Sequence, residues 1–151
     1  MQLRNCRAIL MATALLGAVA VAFGQTVQTN TDLTFGKIAT SDTAGTATVS
    51  PLGTRTSSGG AMPVTSSFTR ASFTISGTPN VTFAILLPTS EPLINGTAGL
   101  TVDTFQSLPS GTGTFDGSGS RDLFVGATLH LAANQARGAY SGSFEVTVTY
   151  N

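Results

Sequence analysis

The sequence predicts an all-β fold, a β-sandwich of about seven or eight short strands. Apolar residues recur at every second position in several segments, which is the period of a half-buried strand. Glycine, proline and asparagine separate these segments at short intervals, as they do in turns between strands. The 3.6-residue period of an amphipathic helix is not found in any segment after the first 24 residues.

Residues 1–24 are predicted to be a secretory signal peptide. Two arginines precede an uncharged, apolar run over residues 8–23, and small residues close this run before Gln25. A charged start, an apolar centre and a small-residue cleavage site are the three parts of such a signal. Cleavage after Ala20 or Ala22 is an alternative. A retained anchor is another, although a spanning helix needs about 20 apolar residues.

Residues 25–151 are predicted to form a single secreted domain. Removal of Arg4 and Arg7 leaves five basic residues against seven acidic ones, a formal net charge of about −2. Because no basic cluster is present, nucleic acid is not expected as a partner. The only cysteine, Cys6, lies in the leader, so the domain has no disulfide and depends on its core for stability.

Strands are predicted in order along the domain from the alternation of apolar residues, ahead of the terminal strand. The predicted segments are residues 31–36, 47–49, 71–76, 81–87, 100–102 and 123–131. Residues 53–60 and 111–119 are rich in glycine and serine or threonine and are predicted to be loops. Asn95-Gly96 is a typical turn pair between two strands.

The last predicted strand, over residues 140–151, has the clearest pattern. Six residues share one face: Tyr140, Gly142, Phe144, Val146, Val148 and Tyr150. Burial of one large apolar side chain contributes about 1.5–3 kcal/mol. Together, the side chains of Phe144, Val146, Val148 and Tyr150 therefore contribute roughly 6–12 kcal/mol. Because whole domains are stable by only about 5–15 kcal/mol, this face must be covered. The strand edge beside it must also pair, with this chain or with another one.

The two ends of the predicted domain resemble an uncharacterised, pilin-like domain family of secreted Gram-negative proteins. Its opening is matched by Asp32-Leu33-Thr34-Phe35-Gly36. Its ending is matched by Val125-Gly126-Ala127-Thr128-Leu129, by Ala133-Asn134-Gln135, and by residues 138–144 and 146–150. The similarity covers nearly the whole predicted domain, and the combination of motifs is fairly specific.

The ending more broadly resembles chaperone–usher pilins. These end on a strand with alternating apolar residues, a penultimate tyrosine, here Tyr150, and a glycine fourteen positions from the end, here Gly138. The resemblance implies an immunoglobulin-like sandwich that lacks its final strand, which a chaperone and then a neighbouring subunit supply. It implies a periplasmic chaperone, an usher and like subunits as partners, and the periplasm, cell surface or an extracellular fibre as location.

The resemblance also implies a set of assembly residues. The predicted strand-complementation residues are Gly138, Tyr140, Phe144, Val146, Val148 and Tyr150. A donor segment should be a run of alternating apolar residues ahead of the first core strand. Residues 25–31 offer only Val27 before Leu33, so these two residues are predicted to form a weak donor.

Catalytic residues, metal ligands and cofactors are not expected. His130, the only histidine, lies between Leu129 and Leu131 on the opposite face of its predicted strand, so it should point to solvent. Asp116 begins an alternation of oxygen-bearing residues, but the acidic ligand that a calcium loop needs at its twelfth position is replaced by Ala127. A turn at Asp116-Gly117 is the simpler interpretation.

Three functions are therefore compared. The first is a non-enzymatic, pilin-like structural subunit that assembles by β-strand complementation. The second is a self-contained, monomeric, secreted β-sandwich with an envelope or ligand-binding role. The third is an enzyme, which the missing acid–base constellation disfavours.

Overall fold

The computed structural model describes residues 2–3, 7–12, 25–65 and 68–150. These residues form fifteen strands and no helix, which confirms the all-β fold and exceeds the predicted strand number. The strands are β1 (Gln2–Leu3), β2 (Arg7–Ala12), β3 (Thr26–Thr31), β4 (Lys37–Ala39), β5 (Gly45–Val49), β6 (Arg55–Gly59), β7 (Met62–Thr65), β8 (Ala71–Ser76), β9 (Thr82–Leu86), β10 (Ser90–Asn95), β11 (Ala98–Leu108), β12 (Thr112–Thr114), β13 (Ser120–Leu131), β14 (Ser141–Gly142) and β15 (Glu145–Tyr150).

The larger of two main sheets is organised around β13. Its strand order is β1-β14-β10-β11-β13-β5-β6. In addition, β8 pairs with the first half of β13, and β3 pairs with β8. On one side β13 pairs with β11. On the other side it pairs with β8 over residues 120–125 and with β5 over residues 127–131. This long strand therefore joins two groups of shorter strands into one sheet.

Gly126 marks the point where the partner of β13 changes. A Cβ atom on this residue would meet the carbonyl oxygen of Val49, and it would lie 2.6 Å from the carbonyl carbon of Ser50. The end of β5 and the turn after it thus pass directly against the backbone of β13. Glycine is required here because any side chain would collide with main-chain atoms that cannot move away.

The smaller main sheet has the strand order β12-β9-β15-β2, and β4 and β7 form a separate two-stranded ribbon. The core is buried between the sheets and is lined by alternate residues from both. Its largest members with almost no exposed surface are Tyr140, Phe35, Phe73, Phe83, Phe115, Phe144, Leu33, Ile75, Leu93, Leu123 and Leu129. The arrangement is the predicted sandwich.

Several predicted elements agree with the structure and three do not. The strands at 71–76 and 123–131 and the turn at Asn95-Gly96 are confirmed. The predicted loop at 53–60 is wrong, since it contains β6, an edge strand with mostly exposed side chains that pairs with β5. The predicted loop at 111–119 contains the short strand β12. The predicted strand at 31–36 is wrong, because the observed strand, β3, lies earlier in the chain and ends at Thr31. Of the residues that follow in the predicted strand, only Thr34 pairs, in an isolated bridge.

The predicted terminal strand is divided between the two sheets. β14 pairs with β10 in the larger sheet, whereas β15 pairs with β9 in the smaller one. Ser143 and Phe144 connect them outside either strand. The alternation of buried residues nevertheless continues through this crossing, because both strands face the same core. Periodicity in the sequence reports the shared core and does not report the change of sheet.

Among the residues that the structure describes, no helix has the length and hydropathy needed to cross a bilayer.

Candidate functional site

The candidate functional site is the edge of β15 that faces away from β9. On its inner edge, residues 147–150 of β15 pair with β9 in antiparallel register. We call the backbone N–H and C=O groups of residues 145–150 that point the other way the outer edge of β15. When an edge of this kind is open, it is a template for pairing with another strand.

The outer edge of β15 is paired along its whole length by β2. The two strands run parallel, and the register extends from Arg7 beside Glu145 to Ala12 beside Tyr150. β1 continues this arrangement, because Gln2 and Leu3 pair in parallel with β14. β2 also contacts β3, so it lies where the smaller sheet meets strand β3 of the larger one. This pairing of the predicted leader is not evident from the sequence.

The side chains on the inner face of β15 are buried as predicted. Val146 and Val148 have 0% exposed surface, and Phe144 and Tyr150 have 2% and 7%. The residues between them, Thr147 and Thr149, are half-buried, and Glu145 is exposed. β15 is therefore a wall of the core and not a mobile chain end.

Three aromatic contacts fix the ends of this wall. The Phe144 ring lies 6.4 Å from the ring of Phe73 in an edge-on arrangement, and 5.2 Å from that of Phe105. At the other end, the Tyr150 ring stacks on that of Phe115 at 5.4 Å with an interplanar angle of 6°. Such pairs add about 0.5–1.5 kcal/mol to the burial of their area.

The hydroxyl of Tyr150 is also held. It donates a hydrogen bond of 3.3 Å to the carbonyl oxygen of Ser76. Burial raises the pKa of Tyr150, because the phenolate would lose its hydration. Gly77 makes room for the stacked rings, since a Cβ there would lie 2.8 Å from Phe115 and 2.9 Å from Tyr150. This packing role of Gly77 is not evident from the sequence.

Gly138 and Tyr140 lie apart from the outer edge of β15. The Tyr140 hydroxyl donates to the carbonyl oxygen of Ala136 at 2.7 Å and accepts from Nε2 of Gln135 at 2.9 Å. Gly138 has a φ of 149°, and a Cβ on it would meet Nδ2 of Asn95. The six predicted assembly residues are thus not one surface: four belong to the wall around β15, and these two stabilise the corner that leads into β14.

The predicted donor residues are part of the chain's own sandwich. Val27 lies in β3, which pairs with β8, and its register partner is Ile75. Leu33 has no exposed surface and belongs to the core. In the described residues, neither is presented as a free segment that another copy can receive. The sequence pattern correctly marks Leu33 as part of an apolar alternation, but its side chain fills the core of this domain.

His130 points to solvent, as predicted, and makes a hydrogen-bonded contact with Asp103 that the sequence did not indicate. Its Nε2 lies 2.8 Å from Oδ1 of Asp103 on the neighbouring strand β11, and both side chains are well exposed. The hydrogen bonds to His130 and to the hydroxyl of Thr104 hold the pKa of Asp103 below its ordinary value. A surface pair of this kind contributes little to stability, and no further ionisable side chain joins it in the described residues to make a metal cluster.

Asp116 closes a turn between β12 and β13. Its Oδ1 accepts hydrogen bonds from the backbone N–H groups of Ser118 and Ser120, both at 2.9 Å, and from the Ser118 hydroxyl at 2.6 Å. The bonds from Ser118, with the backbone bond from Ser120, lower the pKa of Asp116. The alternating oxygens of this stretch thus serve a side-chain-stabilised turn.

A surface cleft beside β8 contains an arginine held on an aromatic ring. The Arg70 guanidinium carbon lies 3.7 Å from the ring centre of Phe124, and Nη1 donates to the carbonyl oxygen of Pro51 at 2.6 Å. Phe68 lines the same cleft, and Arg55 lies 4.8 Å over its ring. These contacts fix two cations at the surface without a carboxylate partner among the described residues.

Comparison with protein-family models decides the family. A model described as a domain of unknown function, DUF4402, matches residues 26–150. The chain belongs to the DUF4402 family. The match begins two residues after the predicted leader and ends with Tyr150, the last residue of β15, so the DUF4402 domain includes the whole sandwich except β1 and β2. It confirms that the domain is an uncharacterised one.

No curated protein matches the chain, and no solved structure matches it. The function of this DUF4402 domain therefore has to be argued from its own geometry.

Proposed function

We propose that this DUF4402 domain is a secreted, non-enzymatic structural subunit that assembles by accepting a β-strand at the outer edge of β15. The observation that carries the proposal is that a buried wall of the core, β15, has its outer edge paired, among the described residues, only by β2, a segment of the predicted leader. After loss of residues 1–24, no described strand of the DUF4402 match pairs with this edge. The pilin-like resemblance of the ending supports the same function.

Loss of β2 breaks the backbone hydrogen bonds at the outer edge of β15. Alternate backbone groups of β15 point to the outer edge, so about three N–H and three C=O groups lose their strand partner when β2 leaves. They belong to a strand whose Val146 and Val148 side chains have no exposed surface. A buried polar group without a partner costs about 1–3 kcal/mol. A donated strand removes this cost by β-augmentation.

A periplasmic chaperone, an usher and like subunits are the partners that we propose, in the periplasm or on the cell surface. A chaperone strand would cover the edge first, and a strand of another subunit would then replace it. The chain's own Val27 and Leu33 are built into its sandwich, so the donated strand comes from another protein.

The proposal is tested on the protein recovered after secretion from its natural precursor. Assembly by strand complementation predicts oligomers that resist SDS at room temperature, run as a ladder and collapse to one band on boiling. Co-expression with a candidate chaperone should raise the yield of soluble protein and give a one-to-one complex. A secreted protein that stays monomeric and cooperatively folded at high concentration contradicts strand-dependent assembly.

The second candidate is a self-contained, monomeric sandwich with an envelope or ligand-binding role. The observation that favours it is the packing of Val27 and Leu33 into the domain itself, with Val27 in the paired strand β3 and Leu33 in the core. The same monomer result that contradicts assembly supports this candidate, and the cleft at Arg70 would then be the first surface to test for a ligand.

A further inference from the structure

The leader segment, meaning residues 2–3 and 7–12, lies along the terminal strands in the structure. β1 pairs with β14 in the larger sheet, and β2 pairs with β15 in the smaller one, both in parallel. The leader segment therefore pairs with the terminal strands on both sides of the point where they change sheet. It lies outside the DUF4402 match, and it closes the outer edge of β15 in cis.

The composition of β2 suits this position. Its sequence, Arg-Ala-Ile-Leu-Met-Ala, contains neither proline nor glycine, so every residue can take part in a ladder. Its single charged residue, Arg7, lies at the register position beside Glu145, which carries the opposite charge. Uncharged residues occupy the remaining positions, beside residues 146–150. A strand at this edge thus has apolar composition where β15 forms the core wall.

The leader is also tied to the domain by a short connection. Only residues 13–25 separate the end of β2 from the start of β3. A strand attached through a connection of this length has an effective concentration of roughly 1 mM at a site within its reach. A free strand at about 10 μM would therefore compete at a disadvantage of about 100-fold.

We infer that the leader segment is a placeholder strand: in the uncleaved chain it occupies the outer edge of β15, and its separation converts a closed chain into one that accepts a partner strand. The partner is an extended, apolar segment that can run parallel to β15, as β2 does. This inference rests on the proposed function for what happens after separation, whereas occupancy by the leader is a separate claim.

Occupancy is tested in the full chain with engineered cysteine pairs. In a Cys6→Ser background, Ile9→Cys is combined with Thr147→Cys, its register partner on β15. The control combines Ile9→Cys with Ser57→Cys, an exposed position on the edge strand β6. Neighbouring strands place paired Cα atoms within disulfide range. We expect the first pair to cross-link at least about tenfold faster than the control. Equal rates in variants that circular dichroism shows to be folded would overturn the inference.

The switch is tested by cutting the folded chain. A specific protease site is placed within residues 13–24 of the full chain, and binding of a fluorescent peptide with the sequence of residues 2–12 is measured before and after cleavage. We expect binding about 100-fold tighter after cleavage. A peptide with proline at the position of Leu10 is the control and should bind weakly to both forms. Equal binding before and after cleavage would overturn the placeholder role.

The two tests separate this inference from the proposed function. If the cysteine pairs cross-link at equal rates while the secreted protein still forms SDS-resistant oligomers, the placeholder is wrong and strand-dependent assembly stands. If the Ile9 and Thr147 pair cross-links rapidly while the secreted protein stays monomeric, occupancy by the leader stands and the proposed function is wrong.

Discussion

Removal of two carbon atoms from the buried wall tests the energetic role of β15. Val148 has no exposed surface and pairs with Ile85 across the inner edge. Val148→Ala loses roughly 1.6 kcal/mol of transfer free energy at about 0.8 kcal/mol per methylene group. The cavity that remains adds to this loss, which gives a total of about 2–3 kcal/mol. For a domain of this size we expect the melting temperature to fall by roughly 6–15 °C.

The matched control is Thr149→Ala on the same strand. Thr149 is half-buried and follows Val148 directly, so its side chain points to the opposite face. We expect this variant to lose less than about 1 kcal/mol. The assay is thermal and urea unfolding of the full chain, followed by circular dichroism. Equal losses for the two variants, or a loss below about 0.5 kcal/mol for Val148→Ala, would show that β15 is not a wall of the core.

Three further predictions follow from the structure. Val146→Asp and Tyr150→Ser should each sharply reduce the yield of folded, secreted protein, because a polar group would face the core; near-normal yield and melting temperature for both would contradict the inward assignment. Gly126→Ala should lower the unfolding free energy by more than about 2 kcal/mol, because its Cβ meets main-chain atoms of the turn after β5; Gly117→Ala, where nothing lies within 4 Å of the added Cβ, is the control. Since the pKa of Asp103 is lowered in the folded state, its stabilisation is present above the ordinary carboxyl value of about 3.9 and disappears as the pH falls through the lower, folded value; Asp103→Asn should flatten the pH dependence of urea unfolding in that acid range, and an unchanged slope would refute this.

Apolar alternation predicted the parts of the fold in which one strand face is buried. β8 and β13 follow this rule, and both were predicted close to their observed bounds. β6 was missed because an edge strand with exposed side chains has no apolar alternation; it is held by its ladder to β5 and by contacts such as the 2.8 Å hydrogen bond between Thr46 and Ser58. Patterns in the sequence report burial and do not report backbone pairing.

The candidate site was predicted in part for the same reason. The inward positions of Phe144, Val146, Val148 and Tyr150 could be identified from periodicity, and all four are buried. The change of sheet between β14 and β15 could not, because both strands face one core. The pairing of β2 was also not predictable, since an apolar leader has the composition of a signal peptide whatever backbone it adopts.

Residue-resolved amide hydrogen exchange of β15 tests the central claim most directly. In β15, alternate N–H groups point to β9 and to the outer edge. The account predicts that both sets are protected in any monodisperse, folded preparation, because β2 or a partner strand pairs with the outer edge. A stable, folded monomer in which the amides toward β9 are protected while those at the outer edge exchange freely would contradict it.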